Sequence, residues 1–187
     1  MLIVLEGIDG CGKSTQAALL HEYLLLGGKS AQLTSEPTGG DIGILIRGAL
    51  SGSYDLDAKT MSLLFTADRY EHIKKFKSLI ADPNEIVVCE RYYFSTIAYQ
   101  SAQGVNPKWI KKLNKYAPKP DIAIFIDTPP ELAIHRVKGD EIFENFEVLS
   151  DVYEKYSEFD DLIPVDGMLS VKDVFDQIKK IVDELVV

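Results

Sequence analysis

The amino-acid sequence predicts an α/β fold built on a five-stranded parallel sheet with helices on both faces. Two observations carry the prediction: short runs rich in β-branched residues recur from end to end, and longer amphipathic stretches separate them. The strand-like runs are residues 2–6, 31–35, 86–90, 122–127 and 162–165. A helix over 13–26 follows the first and is ended by Gly27 and Gly28, since glycine takes the left-handed turn that closes a helix. A long helix over 57–81 stops at Asp82-Pro83. The last helix, over 171–187, carries Val174, Phe175, Ile178, Ile181 and Val182 at helical spacing, a core stripe. No internal repeat, low-complexity tract or Pro/Gly linker interrupts the pattern, so one domain is expected over 1–187.

Of the 187 residues 46% are apolar and 26% charged, a balance that suits a globular chain and excludes a collagen-like or disordered one. No apolar stretch approaches the ~20 residues a bilayer requires, and the N-terminus shows no signal-peptide pattern. A cytoplasmic protein without membrane partners is therefore expected. Cys11 and Cys89 are too few for a disulfide framework and have no neighbour at zinc-ligand spacing. The net charge of −9 repels nucleic acid overall, so an anionic ligand must be held by a local cluster of positive groups.

One such cluster is visible at "GIDGCGKSTQ", residues 7–16, where Gly7, Gly12, Lys13 and Ser14 match GxxxxGK[ST] between a strand and a helix. Glycines let successive backbone N–H groups face a phosphate, and the helix N-terminus adds about half a positive charge. Lys13 then reaches the terminal phosphates of a nucleoside triphosphate, and the Ser14 hydroxyl is offered to Mg²⁺. Mg²⁺ also needs a carboxylate at the end of a neighbouring strand. Glu90, closing "IVVCER", is the favoured candidate, with helix capping as its other reading; Asp127, closing "IAIFID", competes but also looks like a helix entry.

The segments "GIDGCGKSTQ", "SEPTGGDIGILIRGAL", "LLFTADRYEHI", "CERYYFSTIAYQ" and "PDIAIFIDTPPELAIHR" resemble, in order and spacing, successive motifs of the thymidylate kinases of the nucleoside monophosphate kinase group. "FTADR" with "ERYYFSTIAYQ" is the discriminating pair. The resemblance implies a three-layer P-loop kinase fold with a short lid at about 136–146, transfer of the γ-phosphoryl group of ATP to dTMP, and Mg²⁺ as cofactor. It implies ATP binding by Gly7, Gly10, Gly12, Lys13, Ser14 and Thr15, with adenine near Asp166 to Leu169, and metal contacts from Ser14 and Glu90. For dTMP it implies Asp9, Arg47, Phe65, Arg69, Arg91, Thr96 and Tyr99, the Tyr99 ring lying below the sugar where it would clash with a 2′-hydroxyl. It also implies a homodimer with the long helix at the interface.

The residue chemistry agrees in part. Phe65 and Arg69 lie four apart, hence on one helical face, and an aromatic ring beside a guanidinium makes a wall and a clamp for a planar base. On spacing alone, however, Phe65 reads as core, Arg47 as a surface charge and Asp9-Gly10 as a turn pair. Arg91, one residue past a strand end, suits a guanidinium fork bridging donor and acceptor oxygens.

Two departures from the family pattern stand out. Glu90-Arg91 replaces the usual Asp-Arg, and Gly10 occupies the loop position where some members carry arginine. Members lacking that arginine usually place several in the lid, but here the lid offers only Arg136 and Lys138 beside Asp140, Glu141 and Glu144, with Ile142 where an arginine often stands. Charge at the transition state would then fall to Lys13, Arg91, Arg136 and Mg²⁺. A kinase for another deoxynucleotide such as dUMP remains open, and so does a nucleotide switch, although "NKYA" at Asn114 has Ala117 in place of the acid a guanine-specific NKxD requires.

Overall fold

The computed structural model describes residues 1–136 and 145–185. The chain begins with β1 (Leu2–Glu6), in which every residue is buried, and α1 (Lys13–Leu26). It continues through β2 (Ser30–Ser35), α2 (Asp41–Leu50), α3 (Ala58–Ala81) and β3 (Glu85–Glu90). Next come α4 (Tyr93–Ala102), α5 (Pro107–Leu113), β4 (Ile122–Asp127), α6 (Pro130–Ala133) and a single 3-10 turn, Ile134–Arg136. The described part closes with α7 (Phe146–Tyr156), β5 (Ile163–Asp166) and α8 (Val171–Asp183).

The strands stand in the order β2-β3-β1-β4-β5, and every pairing is parallel. The chain leaves β1 toward one edge for β2 and β3, then crosses to the other side for β4 and β5. Such a reversal opens a crevice at the carboxyl end of the middle strand, here directly beyond Glu6. Register places Glu90 beside Leu5 and Ser35, so β3 ends level with the start of the glycine loop.

Alternation along β1 divides its side chains between two layers. Ile3 and Leu5 join Ala17, Leu20 and Leu24 of α1, while Leu2 and Val4 join Val87, Cys89 and the α3 residues Ile73 and Phe76. Several helices begin on a side chain that accepts an orphaned first-turn N–H: Asp57 from Thr60, Asn106 from Lys108, Asn145 from Val148 and Ser170 from Asp173. Neither α1 nor α4, which begin beside the crevice, has a side-chain cap of its own.

The differences from expectation are local. Asp57 is the cap of the long helix rather than its first residue, β5 is shifted one residue onward, and α8 ends at Asp183. β2 begins at Ser30 and is exposed along much of its length, because it is an edge strand and not one covered on both faces. Most of the lid expected at 136–146, with Lys138, Asp140, Glu141, Ile142 and Glu144, lies outside the described residues.

Candidate active site

Two cavities meet at the carboxyl edge of the sheet, and the larger is built around the glycine loop. Gly7 has φ 147°, and a methyl group there would sit 2.6 Å from Cys11 Sγ and 3.1 Å from the Ile126 carbonyl oxygen. Gly12 has φ 100° with open space around it, so conformation rather than crowding demands glycine. As the residue before α1 it offers no side chain, which leaves the first-turn N–H groups of that helix to an anion. Lys13 is buried, with Nζ donating to the carbonyls of Gly7 (3.1 Å) and Ile8 (2.8 Å). Ser14 Oγ donates to Glu90 Oε1 at 2.8 Å, the neighbour that the β1–β3 register dictates. Loop residues Gly10 to Gln16, Glu90, Arg136, Gly167 and the stretch from Leu169 to Val171 line this cavity of about 540 Å³.

Asp127, the rival metal candidate, lies elsewhere. It accepts a hydrogen bond from the Tyr153 hydroxyl at 2.7 Å and lines a small separate cavity with Pro129, Pro164 and Asp166. Among the described residues no group of three or more His, Cys, Asp or Glu could hold a metal ion. The hydroxyl and carboxylate of the Ser14–Glu90 pair are oxygen donors of the kind Mg²⁺ takes alongside waters and phosphate oxygens.

The smaller cavity, about 150 Å³, is lined by Asp9, Pro37, Arg47, Leu50, Phe65, Arg91, Ser95, Thr96, Tyr99 and Gln100. Arg47 is fixed by the carbonyls of Thr38 (2.6 Å), Pro37 (2.8 Å) and Gly43 (3.2 Å). Its helix can approach that segment only because residue 43 is glycine, since a methyl group there would lie 1.9 Å from the Thr38 oxygen. Asp68 anchors the same segment, accepting from Thr38 N (2.7 Å) and Thr38 Oγ1 (2.6 Å).

Arg91 lines the smaller cavity and is bonded to Asp9, which lines both. Its φ of 64° is the one left-handed non-glycine backbone among the described residues. Nη1 donates to Gly7 O (3.3 Å) and Ser95 Oγ (3.0 Å), and Nη2 to Asp9 Oδ1 and Tyr99 Oη (3.3 Å). Asp9, which lines both cavities, also accepts from the Tyr99 hydroxyl at 2.7 Å. Burial alone would raise the Asp9 carboxyl, but the charges of Arg91 and Lys13 outweigh it and hold the group at about 2. Burial pushes the Tyr99 phenol well up, and the Asp9 charge adds to that.

Arg69 lies deeper than its spacing from Phe65 indicates. It shares an inward face with Phe65, but it is only 1% exposed and stands behind the cavity wall. Nε donates to Glu36 (2.8 Å), Nη1 to Asn114 Oδ1 (2.6 Å) and Nη2 to Thr96 Oγ1 (2.9 Å), so Arg69 supports Thr96 rather than facing the cavity. Arg136 is set beside Gly167, donating to its carbonyl at 3.4 Å. Among the described residues the cations lining the two cavities are Lys13, Arg47, Arg91 and Arg136.

Two polar residues escaped the sequence reading. Gln100 is 0% exposed, lines the smaller cavity, and among the described residues has no hydrogen-bond partner for either side-chain polar atom. Glu6, equally buried, accepts from Tyr92 N (2.7 Å) and from the hydroxyls of Ser95 (2.5 Å) and Tyr156 (2.9 Å). Burial raises its carboxyl pKa, against the pull of Ser95 and then Arg91.

A family model described as thymidylate kinase matches residues 5–179. The chain belongs to the thymidylate kinase family. It is 46% identical over 158 residues to the probable thymidylate kinase of Methanocaldococcus jannaschii, covering 84% of this chain and 80% of that one. With the probable thymidylate kinase of Pyrococcus abyssi it shares 38% over 193 residues, 96% of this chain and 94% of the relative. Among solved structures, the thymidylate kinase of Candida albicans superposes with a TM-score of 0.82 at 27% identity, covering 98% of this chain and 91% of that one. The thymidylate kinase fold, a five-stranded parallel sheet with helices on both sides, is thus present here with a glutamate at the end of β3 and a glycine at position 10.

Proposed function

We propose that this protein transfers the γ-phosphoryl group of ATP to dTMP, giving ADP and dTDP, and that Arg91 is the group at which the two substrates meet. One observation carries the reading: the Arg91 guanidinium bonds both the glycine loop, at Gly7, and the smaller cavity, at Ser95 and Tyr99. The donor triphosphate lies on the loop amides and the α1 N-terminus, with Lys13 exchanging its carbonyl contacts for phosphate oxygens, and with Gly10, Thr15 and Arg136 along the same cavity. Ser14 and Glu90 would hold Mg²⁺, which would supply charge neutralisation beside the phosphates. The acceptor base lies against Phe65, and its phosphate is gripped by Arg47 and Arg91. Thr96, oriented by Arg69, and the unpaired Gln100 amide present donors and acceptors to the polar edge of the base. Tyr99 and Asp9 border the sugar.

No general base is needed, because a phosphate monoester is largely ionised near neutral pH. The protein's work is to align the two phosphates in line, neutralise charge and exclude water. A nucleotide switch fits poorly, since Asn114 of "NKYA" is buried with its carbonyl oxygen taken by Arg69. We read the chain as one cytoplasmic domain with a lid at about 136–146. A homodimer is supported by Ile44 and Leu45 on α2 and Leu63 on α3, which are large apolar residues left exposed on adjacent helices. Single-turnover assays with ATP, Mg²⁺ and a panel of dTMP, dUMP and other monophosphates test the function. ADP should form fastest with dTMP; equal ADP formation without any acceptor would refute the assignment.

A further inference from the structure

Glu6 is the last residue of the central strand, and its carboxylate organises groups from two other elements. Oε1 accepts from Tyr92 N at 2.7 Å and Ser95 N at 3.4 Å, the amides at the start of α4. Tyr92 provides no cap of its own, so a carboxylate from β1 does the work of a capping side chain and also meets the positive end of the helix. Oε2 accepts from Ser95 Oγ at 2.5 Å and from the Tyr156 hydroxyl at 2.9 Å. Tyr156 is the final residue of α7, the helix that follows the lid segment in the chain.

The direction of these bonds matters. Ser95 has one hydroxyl proton, and both Glu6 oxygens are engaged as acceptors, so that proton points to Glu6. The lone pairs of Ser95 Oγ then face Arg91 Nη1 at 3.0 Å and the Tyr156 hydroxyl at 2.9 Å. Reversing the polarity at Glu6 would turn the Ser95 proton out of this arrangement and weaken the acceptor that aims the guanidinium. Asp9 holds the other nitrogen, so the guanidinium is fixed from two sides.

We propose that Glu6 is a positioning residue for phosphoryl transfer: through Ser95 it sets the orientation of Arg91, and through Tyr156 it ties that orientation to the end of α7. The inference rests on the reading of Arg91 as the group that holds the transferring phosphates. Glu6 itself touches neither cavity.

A double-mutant cycle between Glu6→Gln and Arg91→Ala, measured as single-turnover transfer to dTMP, tests it. Glu6→Gln keeps shape and turns one acceptor into a donor. Transfer should fall about 10–100-fold, as expected for bonds to a charged group. In the Arg91→Ala background the same substitution should change transfer less than about threefold, because its target has gone. Equal losses in both backgrounds would make Glu6 a cap of α4 and nothing more, overturning the proposal. Arg91→Ala transfer within tenfold of the parent would overturn the Arg91 reading, and this inference with it. Tyr156→Phe keeps the ring stacked on Phe125 at 5.1 Å and serves where Glu6→Gln fails to fold. It should lose about three- to tenfold, again only when Arg91 is present, and a loss independent of Arg91 would overturn the proposal.

Discussion

A buried glutamine with nothing to bond is expensive, and Gln100 offers a test in which stability and function move in opposite directions. Both polar atoms of its amide lack a partner although the residue is 0% exposed. Leaving a buried polar group unsatisfied costs about 1–3 kcal/mol, so replacing the amide by the similarly shaped, apolar methionine should stabilise the unliganded protein by about 2 kcal/mol. For a chain of this size that corresponds to a Tm rise of about 4–8 °C. The same substitution removes the hydrogen bonds proposed for the base, and two neutral bonds amount to about 10–100-fold in KM for dTMP. Thermal melts with and without dTMP, together with acceptor kinetics, read both effects. A lower Tm for Gln100→Met without nucleotide would show that the amide is bonded inside the folded protein. An unchanged KM would remove it from base recognition.

Other expectations follow from the same geometry. Asp9 is held at about 2 against its ordinary 3.8, and a depressed carboxyl contributes stability above its unfolded value that is lost as pH falls through the folded one. With the side chain 32% exposed, solvent screening leaves about 1–2 kcal/mol of this between pH 4 and 2. Urea titrations across that window should show Asp9→Asn with a shallower loss than the parent, and parallel curves would contradict the assignment. Lys13→Ala should cut transfer by roughly a thousandfold while dTMP affinity stays near the parent's; turnover retained within tenfold would rule out its phosphate role. Tyr99→Ala should improve ribonucleotide acceptors relative to deoxyribonucleotides, and an unchanged ratio of kcat/KM values would end the steric account of sugar selection.

The parts of the site that were legible in the sequence are those whose chemistry is contiguous. The glycine loop needs only a strand before it and a helix after it, and residues 7–16 contain every part. α4 was hidden because each residue from Phe94 to Gln100 is buried, so the segment has no polar face from which a helical period could be read. The choice between Glu90 and Asp127 turned on register. Both close apolar strands that flank β1, but Glu90 stands level with Leu5 and meets Ser14, while Asp127 lies two residues past the partner of Glu6 and meets Tyr153. Spacing put Phe65 and Arg69 on the same face correctly, yet depth depended on Glu36 and Asn114, 33 and 45 residues away in sequence. Glu6 lay further beyond reach, since its partners stand 86 to 150 residues along the chain.

Arg91 shows why such long-range partners are needed. Its amide still continues the sheet, donating to Leu5 O at 2.9 Å, while its side chain must turn into the smaller cavity, where it bonds Asp9 and Ser95. Only a left-handed backbone serves both demands, at a cost of about 1–3 kcal/mol for a residue with a side chain. Glycine would adopt that conformation freely but would bring no guanidinium. The strain is held in place from either side, by Leu5 at the amide of Arg91 and by Glu6 at the amide of Tyr92. Both constraints come from the end of β1, the strand that also launches the glycine loop. Whatever fixes the loop therefore fixes the arginine, and a single strand end keeps the two cavities in register with each other.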